Sequence, residues 1–196
     1  MQKLRSQYCR FVASTRGVVA IEFAMILPVL LLAFLGTVDA GRAIAIYMKV
    51  HSATYTAAAV TNQYPSVLTS DLQTITGATS VVMSPYPSGP AVVTVSQVKI
   101  DSKNNATVSW SYSLNGTARA QGSAITVPTN ILTAVGSPPS GSFSYLIFSE
   151  VSYTYTPMFG YFITGSLTMS DNLFVTPRGT QCVLYPQAAP APVTTC

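Results

Sequence analysis

Side chains that could do acid–base or metal chemistry are few in this chain of 196 residues. It has one histidine, six carboxylates and three cysteines. The carboxylates are scattered and form no close pair suited to acid–base catalysis. No Cys/His cluster has the spacing of metal ligands, and the sequence contains no glycine-rich phosphate loop. We therefore predict no catalytic residue, no metal site and no cofactor, and we expect a protein that is not an enzyme.

One carboxylate, Glu22, lies in an apolar stretch. Phe23 to Val38 gives 16 residues without a charge, and Val18 to Val38 gives 21 with Glu22 inside. The hydrocarbon core of a bilayer needs about 20 residues, so the stretch predicts a transmembrane helix. A charged side chain there is costly and often functional. The residues alone leave two interpretations of Glu22, a boundary carboxylate at the cytoplasmic headgroups or a group with a specific partner.

The charges are distributed unevenly along the chain. Four basic residues and no acid precede Val18, and the remaining six basic residues are matched by six acids. The formal net charge of +4 therefore belongs to the first 17 residues, and the neutral remainder predicts no nucleic-acid partner. A short basic segment before an apolar span holds the N-terminus in the cytoplasm.

The segment RGVVAIEF, Arg16 to Phe23, resembles the processing site of type IV prepilins. The shared features are a basic leader, a glycine, four residues, a glutamate and an aromatic residue. The resemblance implies that the prepilin peptidase cuts after Gly17 and that Val18 becomes the new N-terminus. It also implies that Glu22 neutralises the α-amino group of a neighbouring subunit and so sets the register between subunit helices.

The wider pattern from Arg16 to Arg42 is similar to the TadE-like family of pseudopilins in Tad (Flp, tight-adherence) pilus systems. Asp39 stands where that family usually has an acidic residue before Gly-Arg, and Glu150 to Gly179 is similar to the family's C-terminal strand region. The resemblance implies a minor pilin or pseudopilin of a pilus assembly or secretion system. The implied partners are the prepilin peptidase, other pilins and pseudopilins, the Tad inner-membrane machinery and membrane lipid, with no small-molecule substrate.

The implied location is the inner, or cytoplasmic, membrane. A single pass would leave the N-terminus in the cytoplasm and the C-terminal domain in the periplasm, or carry that domain outward on a surface pilus that serves adhesion or secretion. An unprocessed, membrane-anchored periplasmic binding module is the alternative, and it would keep its leader. A membrane-tethered enzyme is a further alternative, against which the scarcity of His, Asp and Glu argues.

The helix is predicted to continue past the membrane, because Asp39 to Gln63 contains no proline and many alanines. A narrow seam follows the helical period with spacings of 4, 3, 4 and 3. Its members are Ile46, Val50, Ala53, Ala57 and Val60. We expect one pilin-like helix over residues 18–62, on the order of 65–70 Å long.

The rest of the chain predicts a small antiparallel sheet. Residues 69–83 could form a short helix capped by Ser70 with Asp71 in its first turn. Four strands are predicted at residues 92–100, 106–114, 145–156 and 166–176, the first two as a hairpin. Alternation places four apolar side chains of the second strand on one face, namely Val108, Trp110, Tyr112 and Leu114.

The predicted fold class is thus α+β, a long N-terminal transmembrane helix followed by a small antiparallel β-sheet domain. The predicted divisions are a basic leader (1–17), the membrane helix with its periplasmic extension (18–62), a β-rich head (63–180) and a proline-rich tail (181–196).

Two features stay open at this level. Cys9 lies in the leader, whereas Cys182 and Cys196 could form a disulfide that closes a loop of 13 intervening residues, or remain free or intermolecular thiols. Asp171 shares its predicted strand face with apolar residues. It is either an ion-pair partner, for instance of Arg178, or an interface group, or a residue that a bulge or strand end turns outward.

Overall fold

The structure, a computed structural model, describes residues 16–158 and 165–196. The predicted prepilin-type leader lies outside the described residues except for its last two. The described helices and strands, in chain order, are α1 (Arg16–Thr61), α2 (Thr69–Met83), β1 (Ala91–Ile100), β2 (Ala106–Leu114), α3 (Thr129–Val135), β3 (Ser144–Tyr155) and β4 (Leu167–Val175). The predicted fold class is confirmed: a long N-terminal apolar helix precedes a four-stranded antiparallel sheet.

The chain divides into two compact units, with a boundary inside α1. We call them the anchor unit, Met1–Arg42 with Pro157–Gly165, and the head unit, Ala43–Thr156 with Ser166–Cys196. In the anchor unit α1 is apolar and tolerates Pro28 within its run. Its side chains from residue 17 to residue 34 are exposed in the structure.

In the head unit, α1 packs through the seam read from the sequence. Ile46, Val50, Ala53 and Ala57 are at most 1 % exposed. Val60, at the end of the seam, is half-buried. This helix face belongs to the main core cluster, which also contains Val93, Val95 and Ile147 of the sheet.

The sheet has the strand order β2-β1-β3-β4, and every neighbouring pair is antiparallel. The predicted β1–β2 hairpin is confirmed, and Asp101 closes its turn by accepting backbone N–H bonds from Lys103 and Asn105 at 2.8 Å each. One sheet face joins the main core. The opposite face carries a second apolar cluster that includes Val98 and Phe148, covered in part by α3, a helix that the sequence analysis did not predict.

The predicted alternation along β2 is wrong at one end. The register shifts next to Gln97, so that Gln97 pairs with Trp110 and Val98 pairs with Val108, leaving Ser109 as the extra residue. Because Gln97 and Val98 point to opposite faces of β1, Trp110 and Val108 also lie on opposite faces. Trp110 enters the main core with Tyr112 and Leu114 packed against it, and Val108 does not share their face.

The predicted cap of α2 is also wrong. The N-cap is Leu68, one position before the helix begins at Thr69, and Ser70 lies inside the first turn. Asp71 is in that turn as expected, and its carboxylate accepts a bond from the Leu68 backbone N–H at 2.8 Å. The Thr69 N–H donates to Gln187 Oε1 at 2.7 Å, so a carboxylate and a glutamine amide, and no serine, bind the first N–H groups of the helix.

The C-terminal residues pack in the head unit. Cys182 and Cys196 are joined by a disulfide with their Cα atoms 5.7 Å apart, and Cys182 and Val183 are fully buried. The Val183 carbonyl accepts a bond from Trp110 Nε1 at 2.8 Å, and its N–H donates to Gln97 Oε1 at 2.6 Å. A buried glutamine and the tryptophan thus hold the backbone beside the disulfide.

Candidate functional site

The residues predicted for prepilin processing lie together at the start of α1. Gly17 and Val18 both lie within the described part of α1, so the peptide bond between them is helical. Gly17 and Val18 are exposed, and a Cβ added at Gly17 would meet no atom within 4 Å. The bond is therefore not covered by the described part of the chain and would be accessible to an enzyme.

Glu22 lies one helical turn after Val18, on the same side of α1, and it is exposed. Among residues 16–158 and 165–196 the ion pairs are His51–Asp171 and Arg119–Glu150, so Glu22 has no ionic partner within that part of the chain. A carboxylate on the surface of an apolar helix needs a partner from outside when that helix enters lipid. Its neighbour Phe23, 59 % exposed, adds an aromatic surface next to it.

Asp39 and Arg42 occupy the last turns of the anchor unit's part of α1. Asp39 is 1 % exposed, although most of the surrounding helix surface is open. Arg42 donates from Nη1 to the sulfur of Met158 at 3.1 Å. The acidic residue that carries the family resemblance is therefore buried and not exposed to solvent.

Asp171 pairs with the single histidine of the chain. His51 Nδ1 on α1 and Asp171 Oδ2 on β4 are 2.7 Å apart, and their side chains are 70 % and 22 % exposed. The suggested partner Arg178 is wrong, and so is the suggested bulge, because β4 pairs continuously with β3 and places Asp171 opposite Val151. The pair ties the helix to the edge strand of the sheet and leaves Nε2 of the imidazole directed away from the carboxylate.

A second ion pair lies on the opposite sheet face. Arg119 donates from Nε and Nη2 to the two carboxylate oxygens of Glu150, at 2.8 and 2.6 Å. This hydrogen bonding to Glu150 raises the pKa of the Arg119 guanidinium above its ordinary value. The two-pronged geometry fixes the orientation of both groups.

Neither pair belongs to a metal-ligand group in the described residues. No group of three or more His, Cys, Asp and Glu side chains there could hold a metal ion. The polar side chains next to His51 are occupied locally, as the Ser52 hydroxyl donates to the Met48 carbonyl at 2.9 Å. The described residues thus comprise an apolar helix with one exposed carboxylate, Glu22, and one buried carboxylate, Asp39, and a head unit with two surface ion pairs.

Sequence reasoning missed both pairings. Asp171 among apolar neighbours was a signal that a partner exists, but the partner lies 120 positions earlier on α1. Arg119 belongs to a loop whose path over the sheet has no local sequence signal. The two contacts become visible only when the helix and loop are placed on the sheet.

One helix of the described chain is long and apolar enough to cross a membrane, and none of the residues in its qualifying apolar window are buried. Such a helix near the N-terminus is compatible with a membrane anchor. No curated protein and no solved structure matches this chain. Residues 17–59, which are almost the whole of α1, match the model of the family described as TadE-like protein, and the predicted TadE-like resemblance is thereby confirmed for this helix.

Proposed function

We propose that this protein is a minor pilin or pseudopilin of a Tad (Flp) type IV-like pilus assembly or secretion system. The TadE-like match of residues 17–59 indicates a Tad pilus-associated protein with an N-terminal apolar helix. The observation that carries the finer proposal is the exposure of α1 around the predicted cleavage site, where Gly17 and Val18 precede an exposed Glu22 by about one turn. This arrangement has the parts that processing and helix–helix register need.

In this proposal the protein works mechanically and not as an enzyme. The prepilin peptidase removes residues 1–17, which frees the Val18 amino group next to Glu22. The apolar part of α1 stays in the inner membrane, and the head unit is periplasmic or is carried outward. In a bundle of pilin helices, Glu22 pairs with the amino group of a neighbouring subunit, because an unpaired carboxylate would be costly there.

The experiment is intact-mass and terminal-peptide analysis of the protein recovered from host membranes. We expect a mature chain that begins at Val18, and the precursor to accumulate when the prepilin peptidase is deleted. Gly17→Val should block processing. Gly41→Val is the matched control, because a Cβ added at either glycine meets no atom within 4 Å.

A retained leader in wild-type membranes would contradict processing. The protein would then be the alternative, a single-pass anchor for a periplasmic binding module that is independent of pilin partners. A cut beyond Val38 would contradict both, since it would remove the helix from the product.

A further inference from the structure

The sheet face opposite α1 carries an open polar trough of about 410 Å³ in the head unit. Strands β1 and β3 form its floor. The loop after β2 and the edge strand β4 form its two sides. The polar side chains that line it and that matter here are Thr117, Arg119, Glu150, Ser152, Ser170 and Asn172.

These groups form a regular grid because of the sheet register. Glu150 lies directly opposite Asn172, and Ser152 lies directly opposite Ser170. Residues two apart along a strand share a face, so both pairs point into the trough. Neighbouring strands are about 4.8 Å apart, so a carboxylate, an amide and two hydroxyls stand close together on one face of the sheet.

The one charged pair in the trough is internally neutralised. Arg119 donates two of its five N–H groups to Glu150, and each carboxylate oxygen can accept a further hydrogen bond. The two side chains are 38 % and 29 % exposed, so their remaining donors and acceptors reach solvent. This pair thus offers a donor group beside an acceptor group without a net charge of its own, and the other charged residue of the lining, Asp171, has its carboxylate on His51.

The pair is also held in place before any ligand arrives. The Arg119 backbone N–H donates to the Ser111 hydroxyl at 3.0 Å. Its guanidinium lies 5.6 Å from the centroid of the Phe148 ring, which itself stacks on Phe174 with centroids 4.1 Å apart. A preorganised polar group loses less conformational entropy on binding.

We propose that this trough binds a neutral polyhydroxylated ligand, a glycan. Each sugar hydroxyl is at once a donor and an acceptor, which matches the Arg119–Glu150 fork and the Asn172 amide. The cancelled charge favours a neutral ligand over an anionic one. The volume lies in the range of about 300–1,000 Å³ typical of small-molecule sites. This inference goes beyond the pilus proposal and does not depend on processing of the leader.

The test uses the full chain in lipid nanodiscs, because maltoside detergents would themselves present sugars. The probe is an array of immobilised neutral oligosaccharides that end in glucose, galactose, mannose or N-acetylhexosamine, with sialylated and sulfated series for comparison. We expect at least one neutral series to bind. For the best of these, Asn172→Ala should raise Kd at least tenfold, and Ser170→Trp should abolish binding by filling the trough.

Both substituted positions are exposed on the edge strand, so the fold should survive, which circular dichroism of each purified variant reports. Asn130→Ala is the matched control, an exposed asparagine on α3 that does not line the trough, and it should leave Kd unchanged. The proposal is overturned if no neutral series binds, if only the charged series or a peptide ligand binds, or if the two trough variants bind as the wild type does.

Discussion

At the scale of single residues, the His51–Asp171 pair shows how one carboxylate is accommodated on an apolar strand face. On its face of β4, Asp171 stands between Met169 and Leu173. It is half-buried, so its charged carboxylate needs a partner. The imidazole of His51 supplies it at 2.7 Å, at the rim of the helix–sheet contact. The pair therefore favours one orientation of α1 on the sheet within the head unit.

We expect Asp171 and His51 to be energetically coupled by about 0.5–1 kcal/mol, the usual size for a partly exposed pair. The measurement is a double-mutant cycle with Asp171→Asn and His51→Gln, followed by chemical unfolding. The single tryptophan, Trp110, is 1 % exposed and reports on the head unit by its fluorescence. The same cycle with Arg178→Ala in place of His51→Gln should give no coupling, and equal coupling in both cycles would contradict the observed pairing.

Buried tyrosines predict a pH dependence on the alkaline side. Burial raises the pKa of the Tyr145 and Tyr153 phenols above the ordinary value of about 10. The folded state therefore favours the neutral phenol. The stability that this contributes is fully present below the unfolded pKa and is lost as the pH rises through the higher folded pKa.

We therefore expect the denaturation midpoint to fall as the pH rises above about 10, and to fall less steeply in Tyr145→Phe, which has no phenol to ionise. Trp110 fluorescence at a series of pH values measures this. Tyr64→Phe, at a tyrosine that is 39 % exposed, is the control and should behave as the wild type does. If the denaturation midpoint of Tyr145→Phe fell with pH as steeply as that of the wild type, the Tyr145 phenol would not be the buried group whose ionisation destabilises the fold.

At the scale of elements, the C-terminal segment, residues 182–196, connects the sheet to the link between α1 and α2. Its backbone is held by Trp110 and Gln97 at Val183, and its Leu184 exchanges bonds with Pro65 and Val67 in the link between α1 and α2. The disulfide between Cys182 and Cys196 closes the segment on itself. Three parts of the chain that are distant in sequence are joined there.

Reduction of the disulfide should lower the free energy of unfolding by about 3 kcal/mol, the chain-entropy value for a loop of this length. Unfolding curves with and without reductant, read from Trp110, measure it. The double variant Cys182→Ser with Cys196→Ser should be less stable by a similar amount and should no longer respond to reductant. A reductant effect that persists in the double variant would have to come from elsewhere in the chain.

The spacing of apolar residues along the sequence was enough to predict the long helix and the four strands. The buried seam of α1 and the alternation of β2 from Trp110 to Leu114 appear in the sequence as they do in the structure. The bulge at Ser109 could not be predicted, because it depends on Gln97 turning inward to bind the Val183 backbone from the other end of the chain. The helix α3 was missed since its seven residues have no cap and no buried member to mark them.

The candidate functional residues also fall into two groups, those whose arrangement follows from local spacing and those brought together only by the packed fold. Gly17, Val18 and Glu22 are neighbours on one helix, so their spacing alone predicts that Val18 and Glu22 share a side of it. The ion pair of Arg119 with Glu150 joins a loop to a strand across the sheet, and no spacing rule relates positions that are 31 apart in this way. Contacts of this kind depend on the packed fold.

At the scale of the whole molecule, charge distribution and the anchor predict an orientation in the membrane. The four basic residues ahead of the span are expected to stay in the cytoplasm, which places Cys9 there and the head unit on the other side. The head contains its disulfide and no other cysteine. Cys9 is thus a natural reporter of the cytoplasmic side, provided that the leader is retained.

We expect Cys9 to be protected from a membrane-impermeant maleimide in intact spheroplasts of a Gly17→Val strain, and to be labelled after the membrane is opened. In the same background, Ser102→Cys adds a thiol at the exposed tip of the β1–β2 turn, and this thiol should react without lysis. The physical reason is that an impermeant reagent reaches only the outer side of the membrane. The reverse labelling pattern would mean an inverted anchor. The freed Val18 amino group and Glu22 would then lie on the side away from the cytoplasm, and the pilin-type assembly proposed for this helix would fail with the orientation.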